Sequence, residues 1–395
     1  MFMRSFAAIL LVVFGFYSQG VVARTGPRLR SPQAILIDAH TGTVLFANDA
    51  DSPTPPGAIT RLLTAYKVFK VMESGQISLS TRFPLSEDAF VRAARMTRQG
   101  GGSMFLEQGE YASVEDLIQG LIVLGANDAA LALAEGISGS EANFSRDLNT
   151  LALDMGLEHT TIINATGQPH AAQWMSLRDM AVISRRLILD FPEHYHFFGQ
   201  REFSFRPESQ TNLDNLNKLL WIMPGADGLH VSRSARGGYG GTFSIERGSR
   251  RLIAATNMLR TPNANFERYL DARALLEYGL RTFSNFVFYD PGVEIIRVPV
   301  WFGARGHVAL GPDRPIMITA PAGSRPEGSL RITYLSPVVA PVGQGDVLGQ
   351  GVLYIGGNEI DRFDLVAMRN VRRTQLFGRT WANIRALIQD TRGPQ

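Results

Sequence analysis

The stretch PPGAITRLLTAYKVF, Pro55 to Phe69, opens on a proline-glycine turn and runs straight into an apolar helical repeat. Ile59, Leu62, Leu63, Tyr66 and Phe69 recur at spacings of three and four, which predicts a helix from about Ala58 to Ser74 with an apolar stripe. At the start of such a helix a residue and its third neighbour share a face, a frame suited to a reactive pair. Here that frame holds Ala58 and Arg61. A methyl group has no proton to give, and a guanidinium stays protonated with no lone pair to offer.

Upstream, AILIDAHTGTVLFAND from Ala34 reads strand, turn at Thr41-Gly42, strand, a hairpin with one buried face. Downstream, SVEDLIQGLIVLGANDAALALAEGI from Ser113 gives two helical runs broken at Gly125, and Ser113 with Asp116 has the spacing of a capping box. Further helices are expected at Glu141 to Met155, Ser176 to Leu189 and Phe266 to Phe283, with strands across Asp227 to Asn257. From Phe286 to about Arg373 helical periodicity gives way to short β-rich runs between glycines and prolines, the texture of a small β-sandwich. The last segment, LFGRTWANIRALIQD, returns to helix, with Phe377, Trp381, Ile384 and Ile388 on one stripe.

The 395 residues, 45% hydrophobic and 19% charged, suffice for one large domain or two ordinary ones. Lys67, Lys70 and Lys218 are the only lysines among 39 basic residues, so a mechanism needing a deprotonable lysine has three candidates. The arginines are scattered, with no basic helix or aromatic-basic module, so no nucleic-acid partner is expected. Arg4, the apolar run Phe6 to Phe16, and small residues at Val21 and Ala23 read as an export signal cleaved after about Ala23. The alternative is an uncleaved anchor, for which the run is short of the ~20 residues a spanning helix needs. With no cysteine there is no disulfide framework, thiol nucleophile or thiolate metal site.

The order of hairpin, GAITR helix, LGANDAA, DGLHVS, closing helix, β domain and terminal amphipathic helix resembles the serine-type D-alanyl-D-alanine carboxypeptidases, the low-molecular-weight penicillin-binding proteins. The resemblance covers nearly the whole chain after the leader. It implies an α+β fold, a β-lactamase/transpeptidase-like domain of antiparallel sheet and helices over residues 27–284, then a β domain over 286–373 and an amphipathic helix over 376–390. It also implies three motifs around one cleft: S-x-x-K, S-x-N and K-T-G. In the family the first serine attacks the D-Ala-D-Ala carbonyl, the lysine takes its proton, and the second serine relays protons. The third motif binds the terminal carboxylate along a strand.

Carried over position by position, this chain departs from the pattern at each motif. Ala58 stands at the nucleophile and Arg61 at the base. Gly125 replaces the second serine, Ala126 follows it, and Asn127 alone is kept. His230, Val231 and Ser232 stand for K-T-G. A pseudoenzyme is therefore expected, with no acyl-enzyme. Arg61, His230, Arg233 and Asn127 are the residues expected to bind an anionic stem-peptide terminus, unless Arg61 itself fills the cleft.

Other candidates are weaker. Thr64 and Lys67 keep a T-x-x-K spacing, but lie about 9 Å further along the helix. Thr60 points about 200° away from Ala58. His230 lacks a hydroxyl or metal partner beside it, and His194 with His196 offers two ligands without a third. No metal and no cofactor are expected. The protein is expected in the periplasm, with the terminal helix against the inner-membrane surface or packed on the β domain.

Overall fold

In a computed structural model of the chain, residues 6–13, 26–206, 213–234, 236–324 and 326–374 are described. They fall into two compact units, Arg24–Thr282 and Phe283–Gln395 together with Met1–Ala23. The first unit is built on an antiparallel sheet in the order Val44–Asn48, Gln33–Asp38, Arg250–Leu259, Gly238–Arg247, Ala226–Ser234. The expected hairpin forms, but all six residues of Gln33–Asp38 are buried instead of alternating. The helices Leu177–Asp190 and Ala264–Thr282 both pack against the sheet, so this central strand has no face left for water.

The chain enters its first long helix through a 3-10 turn at Gly57–Ile59, and the helix proper spans Thr60–Glu73. Ten of its fourteen residues are buried, more than one stripe provides. Asn127–Ser138, Glu141–Asp154 and Leu177–Asp190 all pack against it. Leu62, Leu63 and Phe69 are at most 1% exposed, and each such side chain contributes about 1.5–3 kcal/mol. That packing fixes the rotation of the helix and so the direction in which Arg61 leaves it.

Ser113 and Asp116 make both bonds of the capping box at the start of Val114–Gln119. The run continues as a π turn, Gly120–Leu124, and breaks at Gly125, whose φ of +62° is left-handed. Asn127 then begins the helix Asn127–Ser138.

The second unit holds a sheet in the order Phe6–Val13, Gly328–Ser336, Val347–Ile355, Asn358–Ala367, His307–Pro312, Ile296–Trp301, Val338–Val339, plus the pair Phe283–Tyr289 and Ile316–Pro321. Val298, Leu310, Ile332, Leu353 and Leu365 are core residues of this unit. Of the expected leader, Phe6–Val13 is described, as a strand antiparallel to Gly328–Ser336. The expected terminal helix, 376–390, with Phe377, Trp381, Ile384 and Ile388, lies outside the described residues. Among those described, no helix is long and apolar enough to cross a membrane.

Candidate active site

Three segments converge on the start of helix Thr60–Glu73: the turn before it, the bend at Gly125–Asn127, and the strand Ala226–Ser234. One side chain ties them together. Arg61, 7% exposed, donates from Nη2 to Asn127 Oδ1 at 2.9 Å, and its Nη1 lies 3.5 Å from His230 Nε2. Its Nε has no partner. Burial pushes the guanidinium down to about 10, opposed by the nearby charge of Asp128. It is still a cation at neutral pH.

His230 is 1% exposed, and burial pushes its imidazole down to about 3. The Arg61 charge adds to that push, a backbone hydrogen bond with Ile122 opposes it, and Arg268 adds a smaller push downward. Because a guanidinium only donates, Nε2 faces Arg61 as the acceptor. The ring is neutral at pH 7, but so weak a base that it offers little to general-base chemistry.

Gly125 makes room for this arrangement. A Cβ there would stand 2.9 Å from Arg61 Nη1 and 2.8 Å from Leu216 Cδ1, on a backbone already at positive φ. Asn127 keeps its place through its own N–H and Nδ2, which both donate to Gly102 O at 2.9 and 3.1 Å. Its side-chain oxygen is spent on Arg61.

Ser232 closes the other side. Its Oγ accepts from the backbone N–H of Ala58 at 3.1 Å and donates to Pro56 O at 2.9 Å. The hydroxyl presses so near that a Cβ on Gly57 would lie 2.2 Å from it. In acyl transfer, the amide of the nucleophile residue commonly helps hold the developing oxyanion. Here that donor already has a partner. The sequence showed a serine where the third motif has glycine, but no one-dimensional signal joins residue 232 to residue 58.

Arg233 is corrected by the geometry. It was grouped with Arg61 and His230, but side chains alternate along a strand, so it leaves on the face opposite His230 and Ser232. It is exposed, 5.7 Å from the Tyr239 ring, which Arg268 of the helix Ala264–Thr282 also overlies. It is no part of the cleft.

Of the other hydroxyl and lysine candidates, Thr64 and Lys67 have structural partners, whereas the buried Thr60 Oγ1 has none among the described residues. Thr64 Oγ1 donates to Ala165 O at 3.1 Å, and Lys67 pairs with Asp147 at 3.8 Å. Thr60 is buried. His194 stacks on Phe69, and His196 Nδ1 lies 2.8 Å from Glu193 O. Among the described residues no group of three His, Asp or Glu could hold a metal ion. The three motif positions thus hold a buried cation, and residue 58 carries no hydroxyl for acyl transfer.

The family profile described as D-alanyl-D-alanine carboxypeptidase matches residues 21–258, and that of the penicillin-binding protein 5 C-terminal domain matches residues 283–373. The chain is 32% identical to the D-alanyl-D-alanine carboxypeptidase DacC of Escherichia coli over 349 residues, 88% of this chain and 86% of that one. It is 30% identical to DacA of Haemophilus influenzae over 90% of this chain and 89% of the relative. The crystal structure of penicillin-binding protein 5 from Haemophilus influenzae superposes with a TM-score of 0.75 at 29% identity, covering 89% of this chain and 100% of the other. The chain therefore belongs to the D-alanyl-D-alanine carboxypeptidase family, with a penicillin-binding protein 5 type C-terminal domain following in sequence.

Proposed function

We propose that this protein is a cell-wall-associated member of the family that has lost covalent catalysis and works by binding or regulation. One observation carries the reading: a single buried guanidinium, on Arg61, joins the base position of the first motif to Asn127 of the second and His230 of the third. Where the family needs a lysine that takes a proton, a fixed cation bridges the other two motifs instead. Ala58 supplies no nucleophile, and its amide is engaged by Ser232.

The ligand that suits this cleft is a stem peptide with a terminal carboxylate, because Arg61 is buried with an unpartnered Nε and is hydrogen-bonded to an amide rather than a carboxylate. The setting we propose is the periplasm, reached by the leader, with the segment 376–390 lying on the inner-membrane surface. Phe377, Trp381, Ile384 and Ile388 would enter the interface while Arg372, Arg373, Arg379 and Arg385 meet anionic headgroups.

The test is incubation with a D-Ala-D-Ala pentapeptide while D-alanine release and equilibrium binding are followed together. Saturable binding, no release above background and no covalent labelling by a tagged penicillin are expected. D-alanine release, or an acylated peptide from any position, would show a working enzyme with other catalytic groups. Absence of binding would remove the ligand reading.

A further inference from the structure

Arg61 is the cation that a ligand carboxylate would meet, yet only 7% of it is exposed. A ligand reaches it only if a neighbour moves, and the neighbours differ in what their movement would break. Asn127 is held by two bonds to Gly102 O, and a backbone bridge joins Gly102 to Ala126. His230 is fixed in the ladder between Ala226–Ser234 and Gly238–Arg247. Ala58 is clasped by Ser232. Displacing any of these leaves buried donors or acceptors without partners.

Leu216 is different. Its Cδ1 and Arg61 Nη1 crowd the same point beside Gly125, 2.8 and 2.9 Å from where a Cβ on that glycine would stand. Arg61, Gly125, Asn127 and His230 are all buried, whereas Leu216 is half-exposed, which puts it at the solvent end of the group. Its backbone is pinned: its N–H donates to Val123 O at 3.2 Å, and its carbonyl accepts from the Tyr269 hydroxyl at 2.8 Å. The next residue, Asn217, donates from Nδ2 to Gly228 O at 2.9 Å. The leucine side chain has no polar atom, so turning it breaks no hydrogen bond. Exchange between staggered rotamers of such a side chain is faster than any loop opening.

We propose that Leu216 is a rotamer gate on the cleft, covering Arg61 and His230 in one orientation and admitting a ligand carboxylate in another. The role of the gate in binding rests on the reading of Arg61 as the carboxylate site. The gate makes the apparent affinity of the cleft equal to that of the open form scaled by the fraction of chains that are open. A smaller side chain at residue 216 raises that fraction, and a larger one lowers it.

The full chain is compared with its Leu216→Ala and Leu216→Phe variants by two readouts. One is equilibrium binding of a D-Ala-D-Ala pentapeptide. The other needs no ligand: the rate at which diethyl pyrocarbonate modifies His230 at pH 7, where the ring is neutral, followed by mass spectrometry of the peptide that carries it. In Leu216→Ala, peptide binding about fivefold tighter and His230 modification about fivefold faster are expected, with shifts of the opposite sign in Leu216→Phe. The His230 pKa, which burial holds at about 3, should also rise in Leu216→Ala as water reaches the ring. Modification rates unchanged in both variants would overturn the gate, whether or not the peptide binds. Faster modification in both would mean a general loosening and would overturn it too. Opposite shifts in modification with no peptide binding in any form would uphold the gate and remove the carboxylate reading of the cleft behind it.

Discussion

The loop that packs on Asp128 and the turn that leads to Arg61 each bury one full charge beside the same cleft, and treat it in opposite ways. Asp128, 1% exposed, accepts from Ser103 Oγ, from the backbone N–H groups of Met104 and Leu106, and from that of Ala129. Its charge organises the 103–106 loop. Arg61 has one good bond, to an amide oxygen, one contact at 3.5 Å, an idle Nε, and only the through-space attraction of Asp128 for a counter-charge. A buried charge wrapped in donors belongs to the fold, whereas one supported this thinly is tolerated by it. The difference separates a charge the scaffold is built around from one at the first motif position.

Removing each charge is the sharpest way to break that contrast. Asp128→Ala leaves several buried donors without an acceptor and is expected to cost about 3–5 kcal/mol in urea unfolding. Arg61→Met should cost less than about 1 kcal/mol, because the loss at Asn127 Oδ1 is offset by relief from burying a cation. Equal losses in the two variants would erase the distinction.

Acid unfolding examines the same contrast through His230. Its folded value of about 3 lies below the unfolded value near 6.5, so between the two the unfolded chain binds more protons. Its contribution is complete above about pH 6.5 and is lost as pH falls toward 3, on the order of a few kcal/mol in all. His230→Gln should flatten that slope. Arg61→Met should raise the imidazole pKa by removing a neighbouring cation, a change read directly by NMR titration.

Gly125→Ser is expected to destabilise by about 1–3 kcal/mol, since it pairs a left-handed backbone with displacement of Arg61 and Leu216. Part of this should return in an Arg61→Lys background, and purely additive losses would show that the two sites do not meet. The smallest expected effect is on turnover. Ala58→Ser alone should leave D-alanine release at background, because Arg61 accepts no proton and Ser232 holds the amide beside it. Turnover by that single variant would reveal an unrecognised base.

Much of the scaffold was legible because it is written locally. The capping box, the left-handed break at Gly125 and the stripe from Ile59 to Phe69 need only neighbours three or four residues away. The burial of ten of the fourteen residues of Thr60–Glu73 was not legible, since it depends on three other helices that come together only in space. Likewise the Ser232–Ala58 contact spans 174 residues of chain. Arg233 was misplaced for a simpler reason: the period of two along Ala226–Ser234 already assigns it to the opposite face from His230.

The clasp made by Ser232 on Pro56 and Ala58 bears on what single substitutions can restore. A serine placed at residue 58 would still find its own amide taken by Ser232, and one placed at residue 125 would collide with Arg61. Each such change alone leaves the other obstacle standing. On the proposed function, recovering acyl transfer would take coordinated changes at residues 58, 61, 125 and 232, although the surrounding scaffold is intact.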